Sequence, residues 1–320
     1  MKVASEINYS ILWSMDAKRV YSLYILCIWC LITPHLFAQT VSDPNFEVKI
    51  DNPLYPDQDG PLILYDTNHH NAFSLTGQYK TFADIVRAEG YQLRDQSAVI
   101  SKEALSKVKL FVTANALSHP SNWDLPNASI YSEEEIELLY KWVHDEGGGL
   151  FIITDHMPCA GAVSELAARF GFNMMNGFTD RLDGGAELFN DTLGNLLPTA
   201  VTNMEGRKVN QIRCWGGGGF IPPKEAVVFS RLGKEYRVYF PTKVKDMETA
   251  IRDNIPYIFG QHLANGAILN CGKGRVCIFA DAAPFTALLQ GINSKERGMN
   301  HPDARDHVHL LRNILQWLHR

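Results

Sequence analysis

The chain has 320 residues, a formal net charge of −5, 20% charged residues and 46% hydrophobic residues. A mildly acidic chain without a basic block leaves no electrostatic footprint for nucleic acid or anionic lipid. The length is enough for one large α/β domain with a sizeable core, and six cysteines are too few for a dense disulfide framework.

Tyr21 to Phe37 (YSLYILCIWCLITPHLF) is almost uncharged and follows Lys18 and Arg19. A basic segment, an apolar run and then Phe37-Ala38 read as a secretory signal peptide, residues 1–38, cut after Ala38. A transmembrane anchor is the competing reading, but the run is short for a bilayer span and contains Pro34 and His35. The basic segment is long, and Met15 is a better-placed start than Met1. The expected destination is the periplasm or outside the cell, without stable membrane insertion after cleavage. Cys159, Cys214, Cys271 and Cys277 remain; Cys271 and Cys277 flank a Gly-Lys-Gly turn and either bridge or stay as free buried thiols.

Residues 39–60 carry Asp and Pro at short intervals and read as an extended lead-in. From residue 61 strands and helices alternate. Leu62 to Tyr65 is a strand ending in Asp66, and Ser74 to Arg87 a helix stopped by Gly90. Tyr91 to Leu93 is a second strand, Ser101 caps a short helix, and Val108 to Thr113 is a third strand. Ser132 opens the clearest helix, with a Ser132/Glu135 capping box and Ile136, Leu139, Tyr140 and Val143 on one face. Gly148 to Ile153, running into Thr154-Asp155-His156, is an apolar run bounded by glycine, as suits a strand covered on both faces. This alternation specifies a parallel sheet with right-handed crossovers.

Beyond Ala160 the pattern weakens. Val163 to Phe170 reads as a helix ended by Gly171, and Phe178 to Arg207 as loops. Val209 to Trp215, Val227 to Arg231 and Tyr236 to Phe240 read as short strands, an antiparallel extension within a β-rich insertion at about 172–262. Gly216 to Gly219 lacks the Lys-Ser/Thr and the helix of a phosphate-cradling loop, so a flexible hairpin tip is expected. Ile268 to Cys271 and Arg275 to Ala280 return to the core, the second ending at Asp281, and Val308 to Leu318 is a closing amphipathic helix.

Tyr65-Asp66-x-x-His69-x-Asn71, the block YSEEEIELLYKWVHDEGGGLFIITDH and the block from Gly272 to Asp281 together resemble the class I glutamine-amidotransferase-like superfamily. Within it they are similar to the branch found in secreted bacterial proteins and related to gliding-motility transport components. The match covers roughly 61–171 and 272–320. The resemblance implies a flavodoxin-like three-layer sandwich with a mostly parallel sheet. True amidotransferases place a nucleophilic Cys in a Gly-x-Cys-x-Gly elbow after this strand, with a later His-x-Glu. Here Asp155-His156 occupies the elbow and no His-x-Glu follows the last strand. Cys159 lies where the chain is already turning, with His156 as its only local partner. The Cys-His-Glu triad is absent and glutaminase activity is not expected.

Ligand crevices in open α/β sheets lie beyond the carboxyl ends of the strands. Asp66, His69, His70 and Asn71 follow the first strand, His119 comes soon after the third, Asp155 and His156 cap the central strand, Asp281 caps the last core strand, and His301 precedes the final helix. Two readings stand. In one, a divalent metal held by His69, His70, Asp155 and His156 activates water for hydrolysis. In the other, these groups bind a small polar or carbohydrate ligand against Trp123, Tyr131 or Trp215. Each residue also has a structural account, such as Asn71 capping a helix or Asp155 accepting backbone N–H groups in its own turn. The expected function is a hydrolase acting on a small polar or carbohydrate substrate, with Asp155, His156 and His69 catalytic and Asp66, Asn71, His119, Asp281 and His301 binding substrate. The rival is a non-catalytic ligand-binding or scaffold module of a cell-envelope assembly.

Overall fold

Short apolar runs bounded by glycine and polar residues become the strands of one mixed sheet. In chain order these are β1 (Leu62–Asp66), β2 (Gln92–Gln96), β3 (Val108–Ala114), β4 (Gly149–Ile153), β5 (Asn173–Met175), β6 (Gly219–Ile221), β7 (Val227–Arg231), β8 (Ala264–Cys271) and β9 (Gly274–Phe279). The computed structural model describes residues 40–248 and 254–320, so the signal-peptide expectation lies outside the described residues. The strand order is β2-β1-β3-β4-β9-β8-β6-β5, with β7 also paired to β8. β2, β1, β3, β4 and β9 run parallel. β8, β6, β5 and β7 are antiparallel, so the sheet is mixed. The reason is local: Cys271 opposes Gly274 across a two-residue turn at Gly272 (φ +57°), and a tight turn can only join antiparallel neighbours.

Helices α1 (Lys80–Ala88), α2 (Lys102–Leu105), α3 (Glu133–Glu146), α4 (Cys159–Ala162), α5 (Ser164–Arg169) and α6 (His307–His319) complete the frame. Side chains alternate across β4 as strand geometry requires. Phe151 and Ile153 pack with Phe82 and Ile85 of α1 and Leu311 and Ile314 of α6. Leu150 and Ile152 pack with Leu139 and Val143 of α3. All of these side chains are buried. The Ser132/Glu135 capping box forms as its spacing predicts, and Gly147 ends α3 at φ +83°, a conformation that favours glycine. Among the described residues no helix is long and apolar enough to cross a membrane.

Several expectations need correction. The helix begins at Lys80, not Ser74, because Tyr79 and Gly77 instead close turns onto the Ser74 carbonyl. Phe178 to Arg207 is not all loop: strands span Phe178–Arg181 and Glu187–Asn190, paired to Tyr236–Tyr239 and Gln211–Cys214. The lead-in holds a strand, Thr40–Ser42, paired to Ala287–Gln290. Within residues 172–262, β5, β6 and β7 join the main sheet. Cys271 and Cys277 are free. They lie three rungs apart on the β8–β9 ladder, about 10 Å along the strands and beyond a disulfide's reach.

Candidate functional site at the strand ends

β4 and β9 are parallel neighbours in which Ile153 faces Phe279, and the Thr154 N–H extends the pairing to the Phe279 carbonyl at 2.9 Å. Asp155 and Asp281 therefore occupy equivalent positions, each two residues beyond the last rung, on strands about 5 Å apart. Both are buried. Asp155 accepts the His156 N–H at 2.9 Å and the Asn115 amide at 3.4 Å. Asp281 accepts the Trp215 N–H at 2.5 Å and the Ala283 N–H at 2.9 Å. Burial pushes Asp155 up to about 6 against the opposing charge of Arg297. Burial and the charge of Asp155 push Asp281 up to about 6, again opposed by Arg297.

Asp155 opens onto a cleft of about 190 Å³, lined also by Phe73, Trp123, His156, Leu288 and Arg297. His156 lies against Phe178, with ring centroids 3.7 Å apart and planes 15° from parallel, and Trp123 stands 5.9 Å away. Its Nδ1 meets the Met157 carbonyl at 2.5 Å, and burial lowers its pKa to about 4. The ring is thus neutral at pH 7. A carbonyl can only accept, so Nδ1 carries the proton and Nε2 keeps a lone pair.

Around this pair the insertion supplies a third buried acid. Glu187 accepts the Gly216 N–H at 2.8 Å, and burial with the charge of Asp281 raises its carboxyl to about 8. The glycine run is not a flexible tip. Gly218 donates to the Ala280 carbonyl at 2.6 Å, and Gly217 accepts from the Thr179 N–H and hydroxyl, both at 2.8 Å. A Cβ on Gly217 would lie 2.1 Å from the Ala280 carbonyl oxygen, so this backbone approach requires glycine.

His69 belongs elsewhere. Its Nδ1 sits 3.0 Å from both oxygens of Asp66 and its Nε2 3.3 Å from Glu135, while the Tyr131 hydroxyl donates to Asp66 at 2.5 Å. Burial opposes the imidazolium, but the bonds and charges of Asp66 and Glu135 outweigh it and raise the pKa. This cluster borders a different cavity, about 350 Å³, with His70, Ser118 and Ser129. β3 lies between β1 and β4, so the ends carrying Asp66 and Asp155 are two strand spacings apart, about 10 Å. His69, His70, Asp155 and His156 therefore cannot share one ion whose ligands sit about 2 Å from it. Among the described residues no group of three or more His, Cys, Asp or Glu is arranged to hold a metal.

The other candidates have structural partners. Asn71 does not cap a helix; its Oδ1 accepts the Ala114 N–H at 2.5 Å and holds the end of β3. His119 is exposed and accepts the Ser121 N–H at 3.4 Å. His301 caps the turn Pro302–Ala304 and stands edge-on to Trp215 at 5.6 Å, outside the cleft lining. Cys159 is buried and its thiol is pushed well up by burial first and by Asp155 second, the opposite of an activated nucleophile. Arg297, Phe73 and Glu187 were not singled out by the sequence.

No family model matches the sequence, and no curated protein matches it. Among solved structures the chain is similar to the mmIFT52 N-terminal domain, at 15% identity and TM-score 0.56, covering 81% of this chain and 97% of that one. It is also similar to a ThuA-like protein from Bacteroides uniformis, at 12% identity and TM-score 0.40, over 85% and 94% of the two chains. A GMP synthase component from Thermoplasma acidophilum aligns at 9% identity and TM-score 0.43, over 81% and 96%. The first likeness is one of fold alone; the other two are too loose to carry an argument.

Proposed function

We propose that this is an extracytoplasmic, amidotransferase-like protein of flavodoxin-like architecture that binds a small polar or carbohydrate ligand at the end of β4. The parallel strand order 2-1-3-4, continued by β9, supports that architecture. The observation that carries the binding role is the cleft itself: Trp123 and Phe73 supply aromatic surface, Asp155 an acceptor, and Arg297 a donor within one small concavity. The Asp155-His156 pair at the elbow position and the raised Cys159 thiol argue against glutaminase chemistry. Because both oxygens of Asp281 already accept a backbone N–H and His156 is neutral and stacked, we read the site as one for holding a ligand rather than turning it over.

One observation favours a second reading, hydrolysis of the bound ligand. Two carboxyls near pH 6 at neighbouring strand ends can share one proton, leaving one acid and one base. Ligand-observed NMR with a monosaccharide panel tests the binding role. The expected result is saturation transfer from wild type that is lost in Trp123→Ala. Equal transfer from both proteins would rule out the cleft as the binding site, and product formation from any panel glycoside that stops in Asp155→Asn would replace binding by hydrolysis.

A further inference from the structure

Arg297 comes from the strand Lys295–Gly298 and reaches the cleft wall beside Asp155. One guanidinium nitrogen, Nη2, donates to the Trp215 carbonyl at 3.1 Å, which fixes the plane of the group. Its Nε is buried and has no hydrogen-bond partner among the described residues. Neither nearby aspartate bonds to it: the donors to Asp155 are His156 and Asn115, and those to Asp281 are Trp215 and Ala283. A buried donor without an acceptor is costly, more so when charged. An arginine held by one nitrogen presents its remaining donors as a fork that fits two oxygens in one plane.

We propose that the ligand of this cleft carries a carboxylate, as a single-ring uronic acid does, and that Arg297 receives it. The proposal rests on the cleft being a ligand site. At about 190 Å³ the cavity suits one ring rather than an oligosaccharide. Trp123 and Phe73 offer the ring a face, the Asp155 carboxyl and the His156 lone pair accept its hydroxyls, and the Arg297 edge takes the acid. Burial holds both strand-end aspartates closer to neutrality than an ordinary carboxylate, so the incoming anion does not meet two full negative charges.

Isothermal titration calorimetry on the mature chain at pH 6, with D-glucuronate and D-galacturonate against D-glucose and D-galactose, tests this. A charge-assisted bond of about 1.5 kcal/mol or more gives the wild type at least a roughly tenfold preference for an acid over its neutral parent. Arg297→Gln reduces that ratio to about twofold or less, and Arg297→Lys restores part of it, with melting curves recorded to show that both variants fold. Equal affinity of wild type for acid and parent would overturn the carboxylate while leaving the cleft as a sugar site. An unchanged ratio in a folded Arg297→Gln would overturn the role of Arg297. Failure of all four sugars to bind would overturn the cleft reading and this inference with it. Should Arg297→Gln not fold, the wild-type ratio decides alone.

Discussion

Glu187→Gln converts the third buried acid of the strand-end cluster into its neutral equivalent. Glu187 is half-buried, and its folded pKa of about 8, raised by desolvation and the charge of Asp281, stands against an ordinary value of 4.5. For an acid raised in the folded state, stability is fully present below the unfolded pKa. It is lost as pH rises from there to the folded value, because the unfolded chain releases the proton first. At about 1.4 kcal/mol per unit, the loss between pH 5 and pH 8.5 is on the order of 2–4 kcal/mol, the upper figure holding if the site neither relaxes nor hydrates. Glutamine has no proton to lose and keeps an oxygen for the Gly216 N–H. The variant should match wild type at pH 5 and exceed it by roughly 2 kcal/mol or more at pH 8.5. Urea unfolding at pH 5, 7 and 8.5 measures the difference. A gap between variant and wild type that does not widen with pH would refute the buried, protonated Glu187 and the packing drawn around it.

Gly217→Ala places a methyl group 2.1 Å from the Ala280 carbonyl oxygen and 2.7 Å from the Asp281 Cβ. It should destabilise the fold by about 2–3 kcal/mol and weaken ligand binding as the strand end shifts, read by urea melts and calorimetry; a neutral result would show the glycine loop free of the strand. His69→Ala strips the partner from two buried carboxylates and should cost about 3 kcal/mol. Ligand affinity at the cleft should be unaffected, and a loss there in a folded His69→Ala would join the two clusters that the strand spacing separates. His156→Ala removes the Phe178 stack and should weaken binding at least about tenfold by calorimetry, the scale of one aromatic contact plus one hydrogen bond.

Periodicity carried the parallel half of the sheet. β1, β3, β4 and β9 are bounded apolar runs, and the Ser132/Glu135 box fixes the start of α3, because both signals are local. In the antiparallel half β7 and the end of β8 read as strands, while β5 and β6 do not. β5 and β6 are three residues each, too short for a period-two pattern, and their sheet membership depends on partners far away in sequence. Asp155, His156 and Asp281 were legible as strand-end residues. That His69 stands apart from them was not, because strand order is absent from a linear pattern and one intervening strand moves a side chain by about 5 Å. Arg297 was hidden for the same reason: it reaches the cleft through the sheet formed by Thr40–Ser42, Ala287–Gln290 and Lys295–Gly298, whose pairing no spacing announces.

The central claim is that one small polar ligand is held beyond β4 and not beyond β1. A crystal of the protein soaked with the tightest-binding sugar of the panel tests it by position. The expected result is ligand density between Trp123, Asp155 and Arg297, with the ring against an aromatic face. Density beside His69 and Glu135 instead, or in the groove lined by Asn195, Arg231 and His262, would contradict it.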